Sequence, residues 1–234
     1  MFHLIETLLW QWNALDNGLP GSFPLLERHL ARLRASSRFF GFPFPAGYIR
    51  ETLTALSMEL QGRCEEEGKG IEAGDRFKVR CTLDASGSFT VNNVSRLPEL
   101  PTPVQIDISP ERVDPEDRFL YHKTSRRELF NSERRRLQAA DLFETLFLNT
   151  SGEVTQGTIS NLFVDVGTGQ LLTPALSCGL LPGVLRQELL DDGRAIEAVL
   201  TEKDLLNADV LYIGNSVRGL MEARLTGGRA GEGL

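Results

Sequence analysis

Histidine is scarce in this chain, limited to His3, His29 and His122. A histidine-rich metal centre has little to be built from, no H-E-x-x-H occurs, and no metal site is expected. Cysteine is as thin: Cys64, Cys81 and Cys178 are widely spaced and odd in number. They supply neither a C-x-x-C pair nor a disulfide framework, and such usage suits a reducing cytoplasm. There is no G-x-x-x-x-G-K-[ST] and no G-x-S-x-G, which removes the phosphate loop and the nucleophile elbow. Gly68, Gly70 and Gly74 cluster ahead of a strand, the wrong order for a dinucleotide fingerprint. No apolar run approaches the length of a membrane span. The N-terminal stretch carries His3, Glu6 and Trp10 without a basic lead-in, and does not read as a signal peptide. A basic excess is also missing. The net charge of −7 argues against a nucleic-acid surface, but local arginines can still hold an anionic small molecule.

What is present is an ordinary globular balance, 41% hydrophobic and 24% charged over 234 residues, enough for one large domain or two small ones. Residues 2–10 are apolar apart from Glu6 and read as a buried strand. Asn17-Gly18 and Pro20-Gly21 signal a turn between Asp16 and Ser22. Phe23 to Phe40 has helical spacing, with Leu26, Leu30, Leu33 and Phe40 on one stripe, ended by Gly41 and Pro43. A second helix is predicted from Ala46 to Leu60, stopping at Gly62. An acidic loop, Glu65 to Gly74, precedes Arg76 to Leu83. There Phe77, Val79, Cys81 and Leu83 alternate with polar residues, as in a half-buried strand. A second strand lies near Phe89 to Val94. Pro98, Pro101 and Pro103 then make residues 98–103 the best linker in the chain.

Beyond it, Val104 to Ile108 reads as a strand and Arg126 to Ala140 as a helix. Leu142 to Leu148 and Val154 to Asp165 are strand-like around a turn at Asn149 to Gly152. Pro182 to Leu190 reads as a helix with proline in its first turn. Thr201 to Asp204 resembles a capping box, and Val210 to Ile213 a strand. The tail from Thr226 is glycine-rich and predicted to be disordered. The reading is α/β (α+β): a small α/β domain over 1–97, a linker over 98–103, and a larger strand-rich domain over 104–234.

Three groups of residues say more together than any says alone. The first is His29-Leu30-Ala31-Arg32-Leu33 followed by Phe40-Gly41-Phe42-Pro43. The second is His122-Lys123-Thr124-Ser125-Arg126. The third runs from Glu153 through Gln156-Gly157-Thr158-Ile159-Ser160-Asn161 to Thr173-Pro174, Gly179-Leu180-Leu181-Pro182-Gly183-Val184-Leu185-Arg186 and Asn215-Ser216. In this order and spacing they resemble the class-IV aminotransferase family, the fold-type IV enzymes of pyridoxal 5'-phosphate (PLP). The resemblance runs from Phe2 to about Leu225, and within the family it is nearest to the aminodeoxychorismate lyases.

That resemblance implies a small α/β domain and a larger pseudo-barrel domain, PLP as cofactor, and a homodimer. Lys123 matches the lysine whose amine bonds the cofactor aldehyde and then moves a proton; outside this context it would read as one more surface lysine. Arg32 matches the arginine that grips the cofactor phosphate with a bidentate, permanently charged fork. Val184 and Leu185 would offer backbone N–H groups to the same phosphate at a helix N-terminus. Many relatives carry a hydroxyl residue at the Leu185 position, a loss that Ser216, beside Asn215, could offset. Leu181 matches a leucine packed on the pyridine ring. Gln156 is the informative departure, because relatives have glutamate facing the pyridine nitrogen. A neutral amide cannot supply the charge that stabilises a pyridinium, so the ring should be a weaker electron sink. Phe130 likewise stands where tyrosine is expected. Thr158, Ser160 and Asn161 follow Gln156 and could order ring or substrate, and Arg80 and Arg218 are candidate carboxylate binders.

The expected activity is a 4-amino-4-deoxychorismate lyase giving 4-aminobenzoate and pyruvate for folate synthesis. Its substrate would be a small anion, and aminodeoxychorismate synthase a functional partner. A transaminase for D- or branched-chain amino acids is the alternative. A PLP-binding homologue with lost or altered catalysis is the other.

Overall fold

The computed structural model describes residues 1–12, 21–66 and 75–226. Most of the predicted first turn, the acidic loop and the tail beyond Thr226 lie outside those residues. The described chain divides into two compact units, Met1–Glu99 with Lys123–Ser125, and Leu100–His122 with Arg126 onward. The break near Glu99 falls in the proline-rich segment. Lys123–Ser125, expected with the larger domain, group instead with the first unit.

The first unit contains β1 (Leu4–Trp12), β2 (Gly21–Ser22), α1 (Leu26–Phe40), α2 (Ala46–Glu66), β3 (Arg76–Leu83) and β4 (Phe89–Arg96). Its four strands are ordered β2-β1-β3-β4 and are antiparallel throughout. The alternation read in β3 is real: Val79, Cys81 and Leu83 are buried and join Leu4, Leu8 and Trp10 of β1 in one core with Leu30, Leu33, Ile49 and Leu53 of the helices. The helix α1 ends as expected, because Gly41 takes a left-handed φ of 73° and its N–H donates to Ser37. In contrast, α2 passes through Gly62 to Glu66. One glycine costs a helix interior only about 1 kcal/mol, too little to stop it by itself.

In the second unit, β5 (Val104–Val113), β6 (Glu144–Asn149), β7 (Val154–Gly157), β8 (Asn161–Asp165), β9 (Leu171–Pro174), β10 (Ala195–Ala198), β11 (Val210–Asn215) and β12 (Gly219–Leu225) form one sheet. Its order is β10-β9-β8-β11-β12-β5-β6-β7, and β7 pairs back onto β8. Six strands, β8-β11-β12-β5-β6-β7, therefore close into a barrel, with β9 and β10 as an outward extension of β8. Closure removes the exposed edges those strands would otherwise present. Ile106, Leu146, Leu148, Val154, Leu162, Leu211 and Ile213 belong to its main buried cluster.

The parallel pairs set the helices. Between β5 and β6, which are parallel, the chain crosses over through α3 (Glu128–Ala139). Between parallel β9 and β10 it crosses through α4 (Val184–Asp191). The single strand expected from Val154 to Asp165 is two strands, β7 and β8, folded on themselves at residues 158–160. Pro182 is not in the first turn of α4 but precedes its cap, Gly183. The short α5 (Glu202–Leu206) opens with the predicted capping box of Thr201 and Asp204. Among the described residues no helix is long and apolar enough to cross a membrane.

Candidate active site

In the first unit, Glu6 lies on the core face of β1 between Leu4 and Leu8. A carboxylate at 3% exposure needs charged and hydrogen-bonding partners, and α1 supplies both. His29 and Arg32, three residues apart, share one helix face. Arg32 donates through Nε to Glu6 Oε1 at 2.9 Å and through Nη2 to Oε2 at 2.7 Å, and His29 Nδ1 lies 2.7 Å from Oε2. Burial by itself would raise the Glu6 carboxyl, but the Arg32 and His29 charges and hydrogen bonds outweigh it and hold the group down at about 2. Arg32 is therefore a half-buried, oriented guanidinium rather than a solvated helix charge.

The lysine segment is held beside the same strand. The Lys123 carbonyl accepts the Ile5 N–H at 2.8 Å, and the Ser125 N–H donates to the His3 carbonyl at 2.8 Å. Leu4 and Thr124 form the bridge between these bonds. Lys123 and Arg32 are thus both anchored to β1, through the neighbouring residues Ile5 and Glu6. Arg80, on the adjacent β3, pairs with Thr7 and is half-buried.

In the second unit, three residues form a closed ring of contacts. Gln156 pairs with Asn161 where β7 meets β8. The Asn161 Nδ2 donates to the Leu181 carbonyl at 3.1 Å. The Leu181 N–H donates to Gln156 Oε1 at 3.1 Å. Two residues beyond Leu181 is Gly183, where a Cβ would stand 1.8 Å from Asn161 Oδ1. Only glycine lets Asn161 come this close to the start of α4. The cap residue Gly183 makes no side-chain cap hydrogen bond, so the N–H groups of Val184 and Leu185 keep the anion-binding character of a helix N-terminus. The Leu185 side chain is buried with Phe163 and Leu189, which leaves its backbone as its polar contribution.

The hydroxyls of Thr158 and Ser160, candidates for substrate binding, are committed elsewhere. Thr158 donates through N and Oγ1 to Glu144 Oε1 at 2.8 and 2.5 Å. Ile159 N and Ser160 Oγ donate to Glu144 Oε2 at 3.0 and 2.6 Å, and Thr145 N reaches Oε1 at 3.2 Å. This fully buried carboxylate fastens the β7–β8 turn from within. Gly157 is required beside it, since a Cβ there would lie 2.6 Å from the Glu144 carboxyl carbon. Arg127 holds the outside of the same turn, donating to the Thr158 carbonyl at 2.8 Å.

Asn215 is also a fastener. Its Oδ1 accepts the N–H groups of Val217 and Arg218 at 3.0 and 3.1 Å, and its Nδ2 donates to the Ile159 carbonyl at 3.3 Å. That leaves Ser216 half-buried in the turn. The Arg218 guanidinium lies 5.9 Å from the Phe143 ring centroid, a cation–π contact. The ring of Phe130 packs edge-on against Phe147.

Reading residues alone did not foresee the roles of Glu6, Glu144 and Arg127. The two acids did leave a signal: each interrupts an apolar strand, Leu-Ile-Glu-Thr-Leu and Phe-Glu-Thr-Leu-Phe.

The group types carried by each unit fit PLP chemically. The first unit has a primary amine and an oriented guanidinium, which suit an aldehyde and a phosphate; the second has a helix N-terminus and a buried amide, which suit a phosphate and a ring nitrogen. An α/β unit joined to a closed mixed barrel with these elements defines a fold-type IV PLP enzyme. The chain belongs to the class IV amino-transferase family, whose model matches residues 3–225.

Relatives point in two directions within that family. A candidate aminodeoxychorismate lyase of Schizosaccharomyces pombe is 27% identical over 223 residues, 92% of this chain and 86% of that protein. A candidate branched-chain-amino-acid aminotransferase of Thermotoga maritima is 25% identical over 204 residues, 84% of this chain and 70% of that protein. Among solved structures, a candidate amino-acid aminotransferase from Mesorhizobium loti is 38% identical, with a TM-score of 0.77 over 97% of this chain and all of that one.

Proposed function

We propose that this protein is a PLP-dependent 4-amino-4-deoxychorismate lyase acting as a homodimer in the cytoplasm, with aminodeoxychorismate synthase as the source of its substrate. The observation that carries the reading is Gln156, a neutral amide where the family resemblance leads us to expect a carboxylate. Glu144, bonded to the turn that follows, cannot substitute for it, because both its oxygens are taken by that turn. A site short of negative charge at the ring supports a reaction whose driving force comes from elsewhere. Making an aromatic product is such a force.

When bound, PLP supplies an aldehyde for the substrate amine and a conjugated ring that draws off electrons. The remaining roles belong to the chain. Arg32 of the first unit, and the α4 N–H groups and Ser216 of the second, would be the phosphate ligands. Leu181 would pack on the ring. Lys123 would hold the cofactor through its amine, and that amine would take the proton from the substrate carbon that bears nitrogen. The electron pair left on that carbon forms the last double bond of the aromatic substrate ring, the bond from the neighbouring substrate-ring carbon to the enolpyruvyl oxygen breaks, its electron pair leaves with that oxygen, and a proton completes pyruvate. Arg80 and Arg218 are proposed to bind the two substrate carboxylates.

An amino-acid aminotransferase is the second reading, favoured by the 38% identity to the Mesorhizobium loti protein. One experiment separates them. Purified protein is mixed with PLP, and the visible band of the lysine adduct is recorded for wild type and Lys123→Ala. The band is expected only in the wild type. Aminodeoxychorismate is then added, and release of 4-aminobenzoate is followed. Absence of 4-aminobenzoate alongside amino transfer from an amino acid to a keto acid would establish the second reading instead.

A further inference from the structure

The amide of Gln156 has a fixed direction. Its Oε1 accepts the Leu181 N–H at 3.1 Å. Turning the amide over would set its NH2 against that N–H. Two donors would then face each other in a site where Gln156 is only 7% exposed, and neither would be satisfied. Leu181 cannot yield, because its carbonyl is held by Asn161 Nδ2. Asn161 is set beside both as the backbone partner of Gln156 across the barrel seam. The oxygen is thereby assigned to the protein, and the NH2 is the end left for a ligand.

We infer that Gln156 acts as an oriented hydrogen-bond donor that keeps the ring nitrogen of the bound cofactor unprotonated. This rests on the reading that PLP binds with that nitrogen toward Gln156. An unprotonated ring nitrogen carries a lone pair and accepts the amide N–H. A protonated one carries its own N–H and would be repelled. The proton stays in solvent, and the ring enters the reaction neutral. Gln156 is thus a residue that sets reaction specificity. It holds back chemistry that depends on strong electron withdrawal by the ring, chiefly amino transfer. It leaves elimination with aromatisation open. A glutamate at the same position would keep one oxygen on the Leu181 N–H and offer the other, charged, to a pyridinium.

The test is the nitrogen-15 resonance of PLP labelled at the ring nitrogen, bound to the wild-type protein and to Gln156→Glu at neutral pH. The wild type is expected at the position of an unprotonated pyridine. The variant should shift upfield to that of a pyridinium and gain amino transfer relative to elimination. A pyridinium resonance in the wild type overturns the inference while leaving the cofactor reading intact. Failure of the wild type to bind labelled PLP, or a visible adduct band that persists in Lys123→Ala, overturns the cofactor reading instead. Because the wild-type spectrum decides the matter by itself, a variant that fails to fold does not protect the inference.

Discussion

Replacing Glu144 by glutamine changes one oxygen to nitrogen and little in volume, yet it should be among the most damaging conservative substitutions in the barrel. The carboxylate accepts five hydrogen bonds, three on Oε1 and two on Oε2. An amide can keep only one of those sets. With its oxygen in place of Oε1, its NH2 meets the Ile159 N–H. Ser160 can rotate its hydroxyl to accept, but a backbone N–H cannot. With the amide reversed, the N–H groups of both Thr145 and Thr158 are opposed, which is worse. The better arrangement leaves one backbone donor unmet, costing about 1–3 kcal/mol, and turns charge-assisted bonds into neutral ones of roughly half the strength. Relief from burying a charge offsets part of this. The net loss should be about 3 kcal/mol. For a protein of this size that corresponds to a fall of roughly 6–12 °C in Tm, at about 2–4 °C per kcal/mol. Scanning calorimetry on wild type and Glu144→Gln measures it. A fall of less than about 2 °C would mean that the turn does not depend on the carboxylate, and the account of Thr158 and Ser160 as its fasteners would be wrong.

Two further expectations follow from the same physical reading. The Glu6 carboxyl is held at about 2 against an ordinary 4.5, so its contribution is complete above 4.5 and disappears as pH falls toward 2. It amounts to about 3 kcal/mol. Denaturant unfolding across that window should show a stability gap between wild type and Glu6→Gln that narrows with acid, and a gap constant with pH would refute it. Gly183→Ala should force Asn161 aside, cost about 1–3 kcal/mol and weaken PLP binding. Adding Asn161→Ala should then cost less than it does in the wild type, and strictly additive losses would exclude the predicted clash.

Much of the fold was legible because its signals are local. The stripe of α1, the alternation of β3 and the capping box of α5 depend on residues within a few positions of one another. Strands β9 and β10 went unread for the opposite reason. Leu171–Pro174 and Ala195–Ala198 are four residues each, too short for a periodic pattern, and become strands because α4 crosses over to bring them together. The candidate site divides in the same way. Lys123, Arg32 and Gln156 stand in motifs that the sequence carries openly. What fixes them does not: Glu6 meets Arg32 across 26 positions, and Leu181 meets Gln156 across 25. The direction of the Gln156 amide could not have been read from its neighbours in the chain.

The pairing of Lys123–Ser125 with the start of β1 has a consequence for dissecting the molecule. Cutting at the proline-rich segment would appear to separate two independent halves, but it would not. A fragment ending at Glu99 would expose the main-chain groups of His3 and Ile5 that residues 123–125 normally occupy. A fragment beginning at Leu100 would carry the lysine on a stretch that has lost its main-chain bonds to His3 and Ile5. The halves should therefore behave as complementing pieces, each supplying the other with three residues of backbone, and, on the proposed role of Lys123, a split version of this protein would report its own reassembly through the return of a lysine–PLP band.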